Sequence, residues 1–230
     1  MSTAFALEAF LETLWPTRCA CCDRPGSVLC PSCRMELEYL DFWNACPECG
    51  APWGRIQCAR CALAAQSASP YQAFCLSALR YEERAATLIK TYKDHGERRL
   101  ALELALLLAH VLPPSWCEWA QALTFVTATK QAKRRRGFDH MEEICLEMSA
   151  LTNVPCLRLL GTPRTQDQRA LGREGRLRNT LGRFSALEHG QPLRVILIDD
   201  VMTTGATLFD ARRALMEQGH QVRLASIARV

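Results

Sequence analysis

The stretch Val195-Ile-Leu-Ile-Asp-Asp-Val-Met-Thr-Thr-Gly-Ala-Thr207 decides the fold. Its first half is an uninterrupted apolar run, β-branched at three of four positions, which predicts a strand buried on both faces. The run ends at two adjacent carboxylates, Asp199 and Asp200. A short loop of small and hydroxyl residues follows and opens a helix predicted over Gly205–Gln218, with Leu208, Ala211 and Leu215 on one face and Gly219 at its end. A further strand, Val222–Ala228, comes next. Strand, helix, strand with a fully apolar strand implies a parallel α/β sheet.

The chemistry expected at this junction follows from its residue types. Parallel sheets hold ligands at the carboxyl ends of their strands. A helix N-terminus offers free N–H groups and the positive end of its dipole. Thr203, Thr204 and Thr207 add hydroxyls, and Gly205 and Ala206 let a ligand approach the backbone. The loop reads as a phosphate cradle. Asp199 and Asp200 beside it are suited to vicinal sugar hydroxyls, so the whole reads as a ribose 5-phosphate site. The alternatives are a Mg²⁺ site or ordinary capping of a helix with an acidic start.

Upstream, Ala73–Tyr81 and Leu123–Ala128 read as strands. Glu83–Tyr92, Arg98–Leu112 and Asp139–Leu151 read as helices. Before residue 66 the composition changes. Of 13 cysteines in 230 residues, nine lie in the first 61. Cys19-x2-Cys22 with Cys30-x2-Cys33, and Cys46-x2-Cys49 with Cys58-x2-Cys61, repeat one four-cysteine unit. Each C-x2-C knuckle turns two thiolates toward one ion, and two knuckles complete the tetrahedral S4 shell of a structural zinc site. Sequential pairing gives two zincs; interleaved pairing and a single zinc also satisfy the spacing. Cys21 is read as a spare thiol. Cys75, Cys117, Cys145 and Cys156 are read as isolated small core residues. The chain therefore divides into 1–66, an N-terminal helix (ended by Pro16) with the zinc-binding unit, and 67–230, the α/β domain.

Residues 1–61 carry a net charge of −2 and the remainder +6. Lys130 to Arg136 holds five basic residues in seven, and 164–183 holds six arginines against Asp167 and Glu174. Two basic loops are expected to meet an anion, either small phosphates or a nucleic-acid backbone. The first 15 residues lack a basic signal-peptide start, and no apolar run reaches the roughly 20 residues of a membrane span. The expectation is a cytoplasmic protein without membrane insertion, which favours metal over disulfides for the cysteines.

Asp199-Asp200-Val-Met-Thr-Thr-Gly-Ala-Thr207 resembles the phosphoribosyl pyrophosphate (PRPP) motif of type I phosphoribosyltransferases. With the cysteine knuckles in front, nearly the whole chain resembles the ComF family, which is linked to DNA uptake in competent bacteria. Further matching stretches are Arg80-Tyr81, Leu88-Ile89-Lys90 through Lys93 and Gly96, Arg136-Gly137-Phe138, and Arg164-Thr165 with Gln168, Leu171, Arg176, Asn179 and Phe184. The resemblance implies a type I phosphoribosyltransferase fold, a five-stranded parallel sheet flanked by helices with a small hood, preceded by the Cys-rich zinc-binding domain. It implies that Asp199 and Asp200 hold the ribose of Mg²⁺-bound PRPP and Thr203, Thr204, Gly205, Ala206 and Thr207 the 5-phosphate. Thr129, Lys130, Arg134, Arg135 and Arg136 would lie near the pyrophosphate, and Arg164, Gln168, Arg176 and Asn179 in a mobile flap.

Two departures stand out. The family's Val-Pro-Val-Pro reads Val126-Thr127-Ala128-Thr129, and its Gly-Phe-Asn-Gln reads Gly137-Phe138-Asp139-His140. Thr203 replaces the Asp that serves the purine in hypoxanthine–guanine salvage enzymes, which argues against 6-oxopurine salvage. The resemblance implies a PRPP-dependent transferase with an unidentified acceptor, acting in DNA uptake or nucleotide-linked metabolism. The alternative is a non-catalytic accessory protein that binds single-stranded DNA, or other DNA-uptake proteins, through its basic loops.

Overall fold

The computed structural model describes residues 12, 16–46, 49–52, 75–163 and 182–230. Four strands, β1 (Cys75–Arg80), β2 (Ala122–Phe125), β3 (Arg194–Met202) and β4 (Gln221–Arg229), form one sheet in the order β1-β4-β3-β2. Every pairing is parallel. A parallel sheet must be covered on both faces, and the side chains divide accordingly. Ile196 and Ile198 of β3 join one apolar cluster. Val195 and Leu197 join another on the opposite side. This period-2 split explains why the run shows no polar alternation.

The described helices are α1 (Pro31–Met35), α2 (Glu83–His95), α3 (Leu100–Val111), α4 (Pro114–Trp119), α5 (Lys130–Arg136), α6 (His140–Thr152) and α7 (Ala206–Glu217). α2, α3 and α6 share the first cluster with Ile196 and Ile198. α7 covers the other face through Leu208, Ala211 and Leu215. α4 starts with Pro at its first turn, where the missing N–H costs nothing. None of the described helices is long and apolar enough to cross a membrane.

Both sheet edges are covered. On β1, Leu40 donates its N–H to the Ala78 carbonyl and Arg80 donates to Glu38. On β2, Leu123 N–H donates to the Pro155 carbonyl and Leu157 donates back to Leu123. Residues 155–157 thus act as a rudimentary fifth strand beside the four full ones, with a parallel bridge at Cys156. Beyond it, Gly161 and Leu187 donate to Ser185 and Leu159, an antiparallel rung on either side of residues 164–181.

One expectation changes here. Lys130–Arg136, read as a loop, is a helix: the Thr129 hydroxyl accepts from Ala132 N–H at 3.1 Å, and Gly137 ends it at φ 82°. The described first knuckle pair of the cysteine-rich unit packs on the main core. Val28, Leu29, Cys33 and Leu37 belong to the same apolar cluster as Leu79, Leu88 and Leu104. The expected N-terminal helix (Glu12 apart), the boundary near residue 66, Cys58, Cys61, and Arg164, Gln168, Arg176 and Asn179 lie outside the described residues.

Candidate functional site

All strand ends of a parallel sheet face one edge, and the charged residues singled out in the sequence collect there. Asp199 and Asp200 sit near the end of β3, 7% and 8% exposed. Asp200 lies on the side of α2 and α6. Its Oδ2 accepts from Lys93 Nζ at 2.5 Å and lies 3.1 Å from His140 Nε2. Its Oδ1 accepts from the Val201 N–H at 2.7 Å. Arg136 Nη1 is 3.1 Å from His140 Nδ1. A guanidinium only donates, so Nδ1 accepts and Nε2–H is left to donate to Asp200. The result is a directed chain, Arg136 to His140 to Asp200, closed by Lys93 from the other side.

The neighbouring carboxyls are shifted in opposite directions. Burial would raise Asp200, but the His140 hydrogen bond and the Lys93 charge outweigh it and hold the carboxyl well below the usual carboxylate range. Burial, followed by the charge of Asp200, pushes Asp199 well above that range. Asp199 accepts from the Asp200 N–H at 2.9 Å and has no ion-pair partner among the described residues. One carboxyl is held toward its charged form, and its neighbour is pushed toward its neutral form. That division follows from environment alone.

The loop after β3 is exposed at Thr203 and Thr204 and buried at Gly205. Gly205 has φ 81°, and a Cβ there would collide with the Phe209 ring and the Met202 methyl. Only glycine meets both demands. α7 begins immediately after it, so its first-turn N–H groups, which lack helical acceptors, face the same edge.

The segment after β2 is tied into the protein by its own polar groups. The Thr127 hydroxyl donates to the Gly161 carbonyl at 2.7 Å, Ala128 N–H donates to Asp139 Oδ2 at 3.2 Å, and the Thr129 oxygen caps α5. These polar groups are already used within the protein. Lys130, Arg134 and Arg135 are exposed, whereas the Arg136 side chain is 9% exposed with a buried Nε that has no partner. A cleft of about 570 Å³ opens between the ends of α2 and α5, lined by Lys93, Asp94, His95, Arg135, Arg136 and Phe138. Lys93 connects it to Asp200. Sequence reasoning assigns no role to Lys93 or His140. Lys93 stands in a matching stretch, and His140 is visible only as a departure from the expected Gln.

Away from this edge, Cys19, Cys22, Cys30 and Cys33 bring their sulfurs within 4.8 Å of one another. The first quartet is therefore sequential. Four soft sulfur donors converging on one point fit a structural zinc ion. Burial opposes ionisation of Cys19, but N–H groups around Cys30, Cys22 and Cys21 bring its thiol down to about 6. Cys21 is not a ligand of this group, and burial followed by the charge of Cys19 pushes it up to about 11. Arg84 of α2 donates to Cys33 Sγ at 3.5 Å, tying the cluster to the α/β part. Cys46 and Cys49 are buried, and Arg229 donates to the Cys49 carbonyl.

No protein-family model matches the chain. It is 27% identical over 220 residues to the DNA utilization protein YhgH of Salmonella typhi, covering 85% of this chain and 92% of that protein. Against YhgH of Escherichia coli (strain K12) the identity is 25% over 217 residues, with the same coverage. Against the competence protein ComFC of Bacillus subtilis (strain 168) it is 23% over 216 residues, covering 88% and 84%. Among solved structures, the orotate phosphoribosyltransferase from Aeropyrum pernix aligns over 63% of this chain and 76% of its own, at 15% identity and a TM-score of 0.33. Adenine phosphoribosyltransferase from Leishmania tarentolae aligns over 63% and 74%, at 12% identity and a TM-score of 0.33. The ComF resemblance read from the sequence is thus matched by relatives that extend over most of the chain.

Proposed function

We propose that this chain, a relative of the ComFC and YhgH proteins, binds Mg²⁺-complexed PRPP at the carboxyl edge of its sheet and transfers the phosphoribosyl group to an acceptor. The observation that carries this reading is the pair of adjacent buried carboxyls at the end of β3, one of them held by Lys93 and His140, beside a loop whose Gly205 no other residue can replace, at a helix N-terminus. Backbone binding of nucleic acid needs no such pair, and carboxylates there would repel phosphate.

In this reading Asp199 and Asp200 take the ribose 2- and 3-hydroxyls. Asp200 accepts a hydroxyl proton while Lys93 and His140 keep it ionised and fixed. Thr203, Thr204 and Thr207 donate to the 5-phosphate, and the α7 first turn adds N–H donors. Mg²⁺, when bound, would supply positive charge to offset that of the pyrophosphate. The C1–O bond to pyrophosphate breaks, and a C1–N bond to the acceptor forms. The protein contributes positioning and charge compensation, the two effects that accelerate such a transfer most. The basic residues at the end of α5 stand on the side from which pyrophosphate would leave. The four-thiol cluster holds zinc as a structural ion, with Cys46, Cys49, Cys58 and Cys61 as a second set, and the unit boundary falls near residue 66.

A thermal-shift titration with PRPP and Mg²⁺ tests the binding. Saturable stabilisation of the wild type, absent in Asp200→Ala, is expected; no stabilisation of either overturns it. Pyrophosphate release, screened over bases and nucleic acids, tests turnover.

A second reading is supported by the exposed Lys130, Arg134 and Arg135 on α5 and by the names of the relatives: a non-catalytic accessory protein that binds single-stranded DNA. It predicts binding that weakens steeply with salt. Unchanged DNA affinity in an Arg134/Arg135→Ala variant counts against that surface.

A further inference from the structure

Two of the cysteines outside the knuckles are neither isolated nor simply core. Cys145 lies on α6 and is completely buried. Cys156 lies in the segment beside β2 and is half-buried. Eleven positions apart in the chain, their Sγ atoms are 2.9 Å from each other. That is closer than two merely touching sulfurs and longer than the roughly 2.05 Å of a disulfide bond. Both backbones are fixed. Cys156 is held between two hydrogen bonds to Leu123, from Leu157 N–H and to the Pro155 carbonyl, each 2.8 Å. Cys145 sits mid-helix, with Ile144 and Met148 packed in the main core.

We propose that Cys145 and Cys156 form a reversible disulfide when the protein meets a hydroperoxide, with Cys156 as the attacking sulfur and Cys145 as the resolving one. Exposure assigns the roles, since only Cys156 has access to solvent. The Cys156 thiolate attacks one peroxide oxygen, and the O–O bond breaks. The departing hydroxide takes the proton released by Cys156 and leaves as water, and Cys156 becomes a sulfenic acid. The Cys145 sulfur then attacks the Cys156 sulfur and the S–O bond breaks. The second hydroxide takes the Cys145 proton and leaves as water. In sum, two thiols and one hydrogen peroxide give one disulfide and two waters; the sulfurs lose two electrons and the peroxide gains them.

The hydrogen bond shared with Cys145 lowers Cys156, against its burial and the charge of Glu142, and Arg158 lowers it slightly. The same hydrogen bond, and then burial, raise Cys145. A solvent-reachable thiol in contact with a buried one is the arrangement of a redox-sensitive pair. The bond would clamp α6 to the β2 edge. α6 begins at His140, which contacts Asp200. The inference does not depend on PRPP binding.

The sequence provides a direct readout. No Lys or Arg lies between Arg136 and Arg158, so one tryptic peptide, Gly137–Arg158, contains both cysteines. The zinc-loaded full chain is treated with stoichiometric hydrogen peroxide, denatured, alkylated with iodoacetamide without reductant, digested and weighed. The expected peptide carries no alkyl group and is two hydrogens lighter than the dithiol. Dithiothreitol before alkylation returns it doubly alkylated. Cys117 serves as the internal reference, and the pair is expected to oxidise about tenfold faster. In Cys145→Ser, Cys156 should progress to sulfinic acid instead. A doubly alkylated peptide at a dose that oxidises Cys117 overturns the proposal. So does a Cys156 sulfinic acid in the wild type while Cys145 remains free.

Discussion

The four-thiol cluster and the carboxyl edge of the sheet both gather polar groups in partly buried settings, but they treat those groups in opposite ways. In the cluster every donor turns inward. Four sulfurs converge, and backbone N–H groups and Arg84 complete their surroundings. Nothing is left over for a substrate, and the arrangement stabilises. At the sheet edge the groups are held in place but not all satisfied. Asp199 is buried without an ion-pair partner among the described residues, Arg136 Nε lacks a partner, and Thr203 and Thr204 face solvent. Leftover bonding capacity in a rigid frame marks the place where a ligand would be met.

The largest expected effect is on the closed side of this comparison. Stripping zinc forfeits on the order of 10 kcal/mol of metal-binding free energy. Because Leu29 and Leu37 share the main apolar cluster, the loss should not stay local. Chelation is expected to lower the melting temperature of the whole chain in one transition. Two separate transitions would mean that the unit folds independently.

Next come the two carboxyls, whose substitutions should have opposite signs. Asp200→Asn leaves Lys93 and His140 facing a neutral amide, a loss of about 3 kcal/mol at neutral pH. Asp199→Asn removes a group that burial disfavours in its charged form, and is expected to be neutral or stabilising. The pH dependence follows. Asp200 is lowered on folding, so its contribution is complete above the unfolded value of about 3.9 and is lost as pH falls through its folded value. Asp199 is raised, so its contribution is complete below about 3.9 and is lost as pH rises through its folded value. Denaturant unfolding from about pH 1.5 to 8 checks both; equal and same-signed effects would erase the distinction.

Gly205→Ala is expected to cost about 1–3 kcal/mol, from a left-handed backbone and a crowded Cβ. It should also weaken phosphate binding, because Met202 and Phe209 must shift. The smallest effect is expected from Thr129→Ala. Losing the α5 N-cap should cost about 1 kcal/mol, read as faster amide exchange confined to 130–136.

Much of this arrangement is legible in the chain. The run Val195–Ile198 can only be a strand covered on both sides, and the helix and strand after it follow from local pattern. The C-x2-C knuckles are legible from their spacing, but which of them meet is not; only the folded chain brings Cys19, Cys22, Cys30 and Cys33 together. The convergence on Asp200 is not. Lys93 and His140 reach it from 107 and 60 positions away, and no local signal encodes such a meeting. The Cys145–Cys156 contact is hidden because each cysteine, read alone, has apolar neighbours. The α5 helix is hidden for another reason. Its run of like charges reads as a loop, although Thr129 and Gly137 stand at the two ends as capping signals.

The central claim is that the open edge is a ribose-phosphate site. Calorimetric titration with Mg²⁺ and PRPP, wild type beside Asp200→Asn, tests it most directly. Saturable one-to-one binding, weakened at least about tenfold in the variant, is the predicted result. No binding to the wild type, or equal affinity in the two proteins, would contradict it.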